Sequence, residues 1–322
     1  MSSGAGGGAA VGTGGGASGG TDGTMRSPAL APEFATRVLR DVPLSKYTSW
    51  HVGGPADLFF TPRNAMDLAS FIRQLPPDVP LMWMGLGSNL LVRDGGVRGA
   101  VISTHGALGD LERSSATQIR VGAGVPCARI ARQCVKWGLG SAEFLAGIPG
   151  TLGGALAMNA GAWGDETWRH VAEVEVMDRR GMRHTRKPAD YEIGYRRVAG
   201  PPEEWFVAAR LEFERKPGVN EAPMRELLEK RKQTQPIGEW SCGSVFVNPQ
   251  GQHAAQLIES AGLKGFRVGD ASVSQKHANF IINHGAARAA DIEALIQHIE
   301  RTVAEVHHVE LTTEVRIVGE PA

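Results

Sequence analysis

The stretch GIPGTLGGALAMNAGA, from Gly147 to Ala162, holds five glycines in sixteen residues and decides how the rest of the sequence is interpreted. Glycine permits positive φ angles and lets backbone N–H groups converge on an anion. Two shorter segments place small residues between apolar runs in the same way: TSWHVGGPA, from Thr48 to Ala56, and GLGSNLLV, from Gly85 to Val92. One such segment alone is most often a set of tight turns. Three together favour a large diphosphate cofactor spread across the domain.

None of these segments follows the common nucleotide-binding patterns. The fingerprint GxGxxG with an acid about 20 residues further on is absent, and so is the lysine of a phosphate-binding P-loop. The cofactor is therefore not expected to sit on a Rossmann or P-loop fold.

Composition narrows the class of partner. The 322 residues include 34 Lys+Arg and 34 Asp+Glu, so the formal net charge is zero. This balance argues against nucleic acid or an anionic membrane as the main partner. No apolar run approaches the ~18 residues of a membrane span, and no secretory signal is expected at the N-terminus.

Cysteine and histidine usage points away from a metal centre. The three cysteines, Cys127, Cys134 and Cys242, show no CxxC spacing, and the ten histidines form no HExxH motif. Neither a disulfide framework nor a metal site is indicated. A reducing, cytoplasmic location fits this usage.

Apolar spacing predicts an α+β chain. Residues 1–33 form a Gly, Ala and Ser-rich tail that is expected to be disordered, because it has little apolar surface to bury. A region of strands and glycine turns follows, and the texture changes near residue 220 to a smaller mixed domain covering 220–322. Helical spacing is clearest in two segments, Pro126–Trp137 and the long Ala290–Val306. Cys127 and Cys134 share a face of the first and are expected in the core.

The segment SCGSVFVNP, from Ser241 to Pro249, raises a chemical question. Val245, Phe246 and Val247 predict a short strand, and Ser244 stands between small residues just before it. No GxSxG motif surrounds Ser244, so a hydrolase nucleophile is a poor fit. On these residues alone, a serine in a tight turn is the simpler interpretation.

Several long motifs in order resemble one family. They are GIPGTLGGALAMNAGAWG, GLGSNLLV, CGSVFVNP, LIESAGLKGFRVGDASVSQKHANFIIN and LTTEVRIVG. From about Leu44 onward the chain resembles the UDP-N-acetylenolpyruvoylglucosamine reductases (UDP-N-acetylmuramate dehydrogenases), flavoenzymes of bacterial cell-wall precursor synthesis. The resemblance implies a two-subdomain FAD-binding region of the vanillyl-alcohol-oxidase (PCMH) type, here 34–103 and 104–219, and a C-terminal α+β substrate-binding domain, 220–322.

The resemblance also implies a reaction. NADPH reduces non-covalently bound FAD, and the flavin then passes a hydride to the vinyl carbon of UDP-N-acetylglucosamine enolpyruvate, which becomes UDP-N-acetylmuramate. By this resemblance Ser244 donates the proton, while Arg196 and Glu314 stabilise the developing charge. A glutamate beside an anion helps only if it is protonated, so the pKa of Glu314 should be raised by burial.

The matching motifs supply the expected binding residues. FAD contacts are expected at Gly53, Gly54, Gly85, Gly87, Ser88, Asn89, Leu90, Gly147, Ile148, Pro149, Gly150, Gly153, Gly154, Asn159, Gly161 and Ala162. Substrate contacts are expected at Tyr195, Asn248, Lys264 and His277. A satisfied structural role for His277 is equally compatible with the motif. Cys242 is expected to be a packing residue.

Two positions depart from the family pattern. Val198, Ala199 and Gly200 stand where a serine and an aromatic residue are often found, and Val247 stands where a basic residue is common. The short span from Arg196 to Ser244 resembles the branch that lacks an extra substrate-covering loop. The sequence does not indicate an oligomeric state.

The sequence is also compatible with two other functions. One is an alcohol-oxidising flavoenzyme of the same fold, although GLGSNLLV offers no histidine for a covalent flavin link. The other is a non-enzymatic flavin-binding module, which would leave Ser244, Arg196 and Glu314 without a role.

Overall fold

The computed structural model describes residues 30–322. Most of the tail predicted to be disordered, 1–33, lies outside the described residues. Its last four residues do not: Leu30 and Ala31 pack against an apolar core, and the Ala31 N–H donates to Gln74 at 2.8 Å. Packed residues are therefore found before the predicted start of the folded chain at Phe34.

The first region is a mixed four-stranded sheet with order β1-β2-β5-β3, in which β1 is antiparallel and the rest are parallel. Its elements are α1 (Pro32–Ala35), β1 (Leu39–Pro43), β2 (Pro55–Phe60), α2 (Ala65–Ile72), β3 (Leu81–Met84), β4 (Leu90–Val92) and β5 (Val97–Ser103). Asn64 caps α2 by accepting from the Asp67 N–H at 2.9 Å. The face of α2 that carries Leu68, Phe71 and Ile72 is buried against the sheet.

The middle region is built on a five-stranded antiparallel sheet with order β12-β11-β15-β7-β6. Its elements are β6 (Leu111–Arg113), β7 (Gln118–Gly122), α3 (Cys127–Lys136), β8 (Leu139–Gly140), α4 (Leu152–Met158), β9 (Gly161–Ala162), β10 (Asp165–Glu166), β11 (Val171–Asp178), β12 (Arg183–Arg186), β13 (Glu192–Gly194), β14 (Arg197–Ala199), β15 (Glu204–Glu212), β16 (Glu214–Arg215) and α5 (Ala222–Thr234). Helix α3 buries Cys127 and Cys134 completely, as its spacing predicts. Met224 of α5 packs in this same core.

The last region holds a three-stranded antiparallel sheet, β17-β18-β19, covered by a long helix. Its elements are α6 (Ala254–Ser260), β17 (Arg267–Val268), β18 (Ala271–Val273), β19 (Ile281–Asn283), α7 (Ala289–His307) and β20 (Arg316–Val318). The apolar stripe of α7, from Ile292 to Val303, is buried as its period predicts. The α+β class is confirmed.

The first and last regions share strands and core. β20 pairs in parallel with β4, Arg316 opposite Leu90, and Trp50 and Leu91 are buried in the core of the last region. Trp50 also donates its indole N–H to the Ile281 carbonyl at 2.8 Å. These contacts bring residues far apart in sequence to one side of the molecule.

The predicted strand at Val245–Val247 is wrong. Phe246 makes only an isolated bridge to Thr313. The buried side chain of Asn279 accepts from the Phe246 N–H at 2.9 Å and donates to the Phe246 carbonyl at 2.8 Å. A side-chain amide thus takes the hydrogen-bonding positions that a neighbouring strand would use.

Candidate active site

A cavity of about 560 Å³ opens where the three regions meet. Segment 85–90 of the first region forms one wall, loop 147–151 and α4 form the second, and residues 242–244 with Glu314 form the third. Two of the three glycine segments identified from the sequence therefore line one space. The third, Thr48–Ala56, does not reach it.

Segment GLGSN approaches its neighbours so closely that side chains are excluded. A Cβ on Gly87, where φ is 62°, would lie 2.0 Å from the Tyr47 carbonyl oxygen, and one on Gly85 would lie 2.4 Å from the Thr151 hydroxyl. Asn89 donates from Nδ2 to the backbone carbonyl of Glu314 at 3.0 Å. These contacts fix the segment against Tyr47, Thr151 and Glu314, and Ser88 and Leu90 also lie on the cavity surface.

Loop 147–151 and helix α4 contribute several glycines to the cavity surface. Gly154 lines the cavity from within α4, and a Cβ added there would meet no atom within 4 Å. A glycine inside a helix costs about 0.5–1 kcal/mol relative to alanine. Glycine at position 154 therefore leaves this face of α4 open, as a group bound against the helix would require. Gly147, Ile148, Pro149, Gly150, Gly161 and Ala162 lie on the same cavity surface.

Four of the expected FAD residues do not line this cavity. Gly54 packs on backbone, since a Cβ there would lie 2.1 Å from the Asp94 carbonyl oxygen, and Gly53, with φ 130°, faces Val92. Gly153 packs on Ala123 and lines a neighbouring cavity of about 410 Å³ instead. Asn159 is buried beneath the surface. These four residues shape the walls rather than the cavity surface.

Arg196 is held at the tip of a two-residue hairpin. Gly194 of β13 pairs with Arg197 of β14, so Tyr195 and Arg196 form the turn. Arg196 adopts a positive φ of 56°, which is strained for a non-glycine residue. Its guanidinium donates to the Asn159 and Gly161 carbonyls at 3.3 and 2.9 Å. Backbone strain and two carbonyl contacts together fix the direction of this cation.

Asn159 supports the hairpin from below. It occupies the left-handed C-cap of α4, with φ 48°, and its Nδ2 donates to the Gly194 carbonyl and to Glu166, each at 3.0 Å. Its Oδ1 accepts from the Trp168 N–H at 3.1 Å. Asn159 thus ties α4 to the turn that carries Arg196, and its contact with the cofactor stays a prediction.

Ser244, Arg196 and Glu314 are brought together on one wall of the cavity. The Val245 carbonyl accepts from the Glu314 N–H at 2.8 Å, so the segments that carry Ser244 and Glu314 run side by side. Arg196 Nε lies 3.1 Å from Glu314 Oε1, an ion-pair contact without the alignment of a hydrogen bond. Both charged side chains are largely buried, at 16% and 15% exposure.

Burial raises the pKa of Glu314 above its ordinary value, and the nearby Arg196 only partly offsets this effect. The direction agrees with the requirement derived from the sequence, that this carboxyl hold a proton more readily than a free glutamate. Burial likewise raises the pKa of the Cys242 thiol well above its usual range, with the Glu314 charge adding to it. Cys242 is thus a neutral packing thiol, as predicted.

The expected substrate contacts lie outside the cavity lining. Tyr195 is half exposed, with the Arg196 guanidinium 5.0 Å from its ring centre. Asn248 accepts from the Ala254 N–H at 3.0 Å, and Lys264 pairs with Glu259 at 2.7 Å. His277 has a buried Nδ1 without a partner among residues 30–322, and burial lowers its pKa. Their roles toward a substrate stay predictions.

Several lining residues were not predicted from the sequence. Thr151, Met158, Phe280 and Arg316 belong to recognised motifs but were not singled out, whereas Lys230 and Arg231 come from a helix without a recognised motif. The Thr151 hydroxyl and the Trp83 indole N–H line the cavity and have no hydrogen-bond partner within the described chain. Buried polar groups are normally paired. Unpaired ones here fit a cavity whose ligand completes their hydrogen bonding, and only the small residues around Thr151 could have signalled it.

The chemistry of the cavity lining therefore suits a flavin dinucleotide. It offers backbone at glycines, unpaired donors, and four cations, Arg196, Lys230, Arg231 and Arg316, against one carboxylate. In residues 30–322, no group of three or more His, Cys, Asp or Glu side chains is placed to hold a metal ion. No helix in that range is long and apolar enough to cross a membrane.

Comparison with known proteins decides the family. Residues 56–186 match the FAD binding domain family, and residues 235–318 match the family described as UDP-N-acetylenolpyruvoylglucosamine reductase, C-terminal domain. The UDP-N-acetylenolpyruvoylglucosamine reductase of Alkalilimnicola ehrlichii is 57% identical over 281 residues, which cover 86% of this chain and 93% of that protein. The chain belongs to the UDP-N-acetylenolpyruvoylglucosamine reductase family.

Other members agree in sequence and in structure. The reductase of Legionella pneumophila strain Corby is 52% identical, over 88% of this chain and 92% of that protein. The crystal structure of the UDP-N-acetylenolpyruvylglucosamine reductase from Thermus caldophilus is 34% identical and superposes with a TM-score of 0.74, over 87% of this chain and 98% of that one. As a member of this reductase family, the chain is a FAD-dependent oxidoreductase of peptidoglycan precursor synthesis.

Proposed function

We propose that this chain reduces UDP-N-acetylglucosamine enolpyruvate to UDP-N-acetylmuramate, with NADPH as the hydride donor and FAD held non-covalently in the cavity. The observation that supports this most directly is that Ser244, Arg196 and Glu314 all line the cavity, with Arg196 Nε 3.1 Å from Glu314 Oε1. Bound FAD supplies a hydride acceptor for NADPH and a hydride donor for the enolpyruvyl group. The remaining chemistry is the work of the protein.

Arg196 and Glu314 stabilise the negative charge that develops on the substrate. Hydride addition to the vinyl carbon places negative charge on the carboxylate end of the substrate, and a guanidinium can grip a carboxylate through two hydrogen bonds. The carbonyls of Asn159 and Gly161 already direct Arg196 into the cavity, so little reorganisation is needed. Glu314, with its pKa raised by burial, can face this charge as a neutral acid.

Ser244 supplies the proton. The carbon next to the reduced one must take up one proton to complete saturation, and Ser244 lies at the cavity surface between Gly243 and Val245. Gly243 has φ 84° and nothing within 4 Å of its Cβ position, which leaves room for close approach to the serine. A hydroxyl is acid enough because an enolate-like carbanion is a strong base, and solvent restores the lost proton.

The finer family placement is also part of this proposal. Between Arg196 and Ser244 the chain forms β14, β15, β16 and α5 in succession, joined by short connections. Such a span fits the branch without an additional substrate-covering loop. A cytoplasmic location fits three reduced cysteines, all of them buried.

The test separates the two halves of the reaction. In Ser244→Ala, NADPH should bleach the flavin at nearly the parental rate, whereas reoxidation by the enolpyruvyl nucleotide should slow about 10²–10⁴-fold, the usual contribution of a positioned proton donor. Stopped-flow absorbance of the flavin follows both steps. Ser244→Cys should recover part of the loss, and Ser241→Ala, in the same segment but away from the cavity lining, is the matched control. Reoxidation of the alanine variant within a few-fold of the parent would show that Ser244 is only a turn residue.

A further inference from the structure

The cavity carries more positive charge than the proposed catalysis uses. Its lining contains four cations and a single carboxylate, although the whole chain has equal numbers of acidic and basic residues. Glu314 pairs with Arg196, and Lys230 pairs with Glu226 on the exposed side of α5 at 2.9 Å. Arg231 and Arg316 are the other two cations of the lining, and neither makes a salt bridge within residues 30–322.

Arg231 is the better defined of these two cations. Its Nε donates to Gln235 Oε1 at 2.6 Å and its Nη1 donates to the Gly147 carbonyl, so the guanidinium is fixed against the first residue of the glycine loop. Arg316, by contrast, is exposed and donates to the Ala157 carbonyl at 3.2 Å. Both carbonyl contacts leave the arginine charge uncompensated.

Burial of this charge is costly unless an anion accompanies it. The Arg231 side chain is half-buried at the cavity wall, and burial alone lowers its pKa, with no neighbouring carboxylate to offset the effect. Buried charges in proteins are normally paired. An arginine fork matches the oxygens of a phosphate group, and within residues 30–322 the Nη2 of Arg231, a residue of the cavity lining, makes no hydrogen bond.

We propose that Arg231 is a binding residue for a nucleotide diphosphate, which supplies the counter-ion that the protein does not provide. This inference rests on the proposed function, because both the flavin cofactor and the nucleotide substrate carry a diphosphate. The shared chemistry is a diphosphate held by the Arg231 guanidinium above Gly147.

The experiment compares Arg231→Gln with Arg225→Gln. Arg225 lies on the same helix, is exposed, and is absent from the cavity lining, so it controls for the loss of one charge from α5. Apoprotein is titrated with FAD and with riboflavin, which lacks the diphosphate, and flavin fluorescence reports binding. UDP serves as a competitor against the enolpyruvyl nucleotide.

Two outcomes support the proposal and identify the source of the diphosphate. If the flavin supplies it, Arg231→Gln weakens FAD binding about 10- to 100-fold and leaves riboflavin unchanged, as expected for a lost charge-assisted hydrogen bond. If the substrate supplies it, FAD binding is unchanged and inhibition by UDP weakens by that factor. In both cases the effect shrinks at high salt, and Arg231→Lys recovers part of it.

Other outcomes overturn it. Equal weakening of FAD and riboflavin would mean that Arg231 only braces the Gly147 loop, and values matching Arg225→Gln for FAD and UDP alike would remove any binding role. Failure of the proposed function is distinct, since the unmodified protein would then neither retain FAD nor oxidise NADPH with the enolpyruvyl nucleotide.

Discussion

Asn159→Ala should damage both stability and one half of the reaction. The substitution removes three side-chain hydrogen bonds: partly buried ones to the Gly194 carbonyl and to Glu166, and a buried one from the Trp168 N–H. Two neutral bonds at about 1 kcal/mol each and one to a carboxylate at about 1.5–3 kcal/mol give a loss of about 3.5–5 kcal/mol. Alanine at φ 48° adds about 1 kcal/mol.

The total, about 4.5–6 kcal/mol, is a large share of the roughly 5–15 kcal/mol that stabilises a typical domain. Thermal unfolding followed by circular dichroism should show a melting temperature lower by roughly 10 °C or more. Asn159→Gly, which accepts the positive φ, should recover about 1 kcal/mol of that loss. If the alanine variant does not fold, the glycine variant carries the kinetic test.

The kinetic effect follows from the hairpin. Without the bond to Gly194, the turn carrying Arg196 loses its support, so flavin reoxidation by the enolpyruvyl nucleotide should slow at least tenfold in the folded protein. Bleaching by NADPH should change little. Asn64→Ala, which removes a helix cap remote from the cavity, should lower stability by about 1 kcal/mol and leave reoxidation intact. Parental reoxidation in the folded Asn159 variants would refute a positioning role for Asn159.

The remaining predictions concern the acid and the glycines. Because burial raises the pKa of Glu314, its protonated fraction falls as pH rises through that pKa; parental reoxidation should therefore decline over this range, and Glu314→Gln should be slower and lack that decline. Stopped-flow pH profiles check this, and a decline that persists in the glutamine variant would assign it to another group. Gly154→Val should keep the melting temperature within a few degrees but lose bound flavin absorbance, since its side chain enters the open cavity. Intact flavin binding in Gly154→Val would contradict the assignment of this cavity to the flavin. Gly54→Ala should instead lower the melting temperature, because its Cβ would lie 2.1 Å from the Asp94 carbonyl oxygen.

The sequence predicts elements better than surfaces. The period of α7 and the buried face of α3 follow from apolar spacing alone, because one face of a helix packs against a core. The Val245–Val247 strand fails because a distant side chain, Asn279, takes the hydrogen bonds that local alternation assigns to a neighbouring strand. Pairing partners of this kind are tertiary information.

The motifs predicted where the site lies, but not which of their residues face the cavity. Gly154 and Asn159 belong to one motif, yet the first faces the cavity and the second lies beneath it, a distinction set by how α4 is rotated. Arg231 escaped notice because it lies among other charges on a polar helix, where one cation looks like the rest. Only the packing of α5 against the Gly147 loop singles it out.

The pairing of β20 with β4 makes assembly of the site a late event during synthesis. Asn89 and Glu314 are separated by 225 positions in the sequence, so the chain must be synthesised beyond Glu314 before this wall of the cavity can form. Contacts of such long range are slow to establish because the loop they close is entropically costly. Until then the edge of β4 and the apolar side chains of Trp50 and Leu91 lack their partners, which exposes the nascent chain to aggregation. Expression yield should accordingly respond to chaperone supply more strongly than the stability of the finished enzyme would suggest.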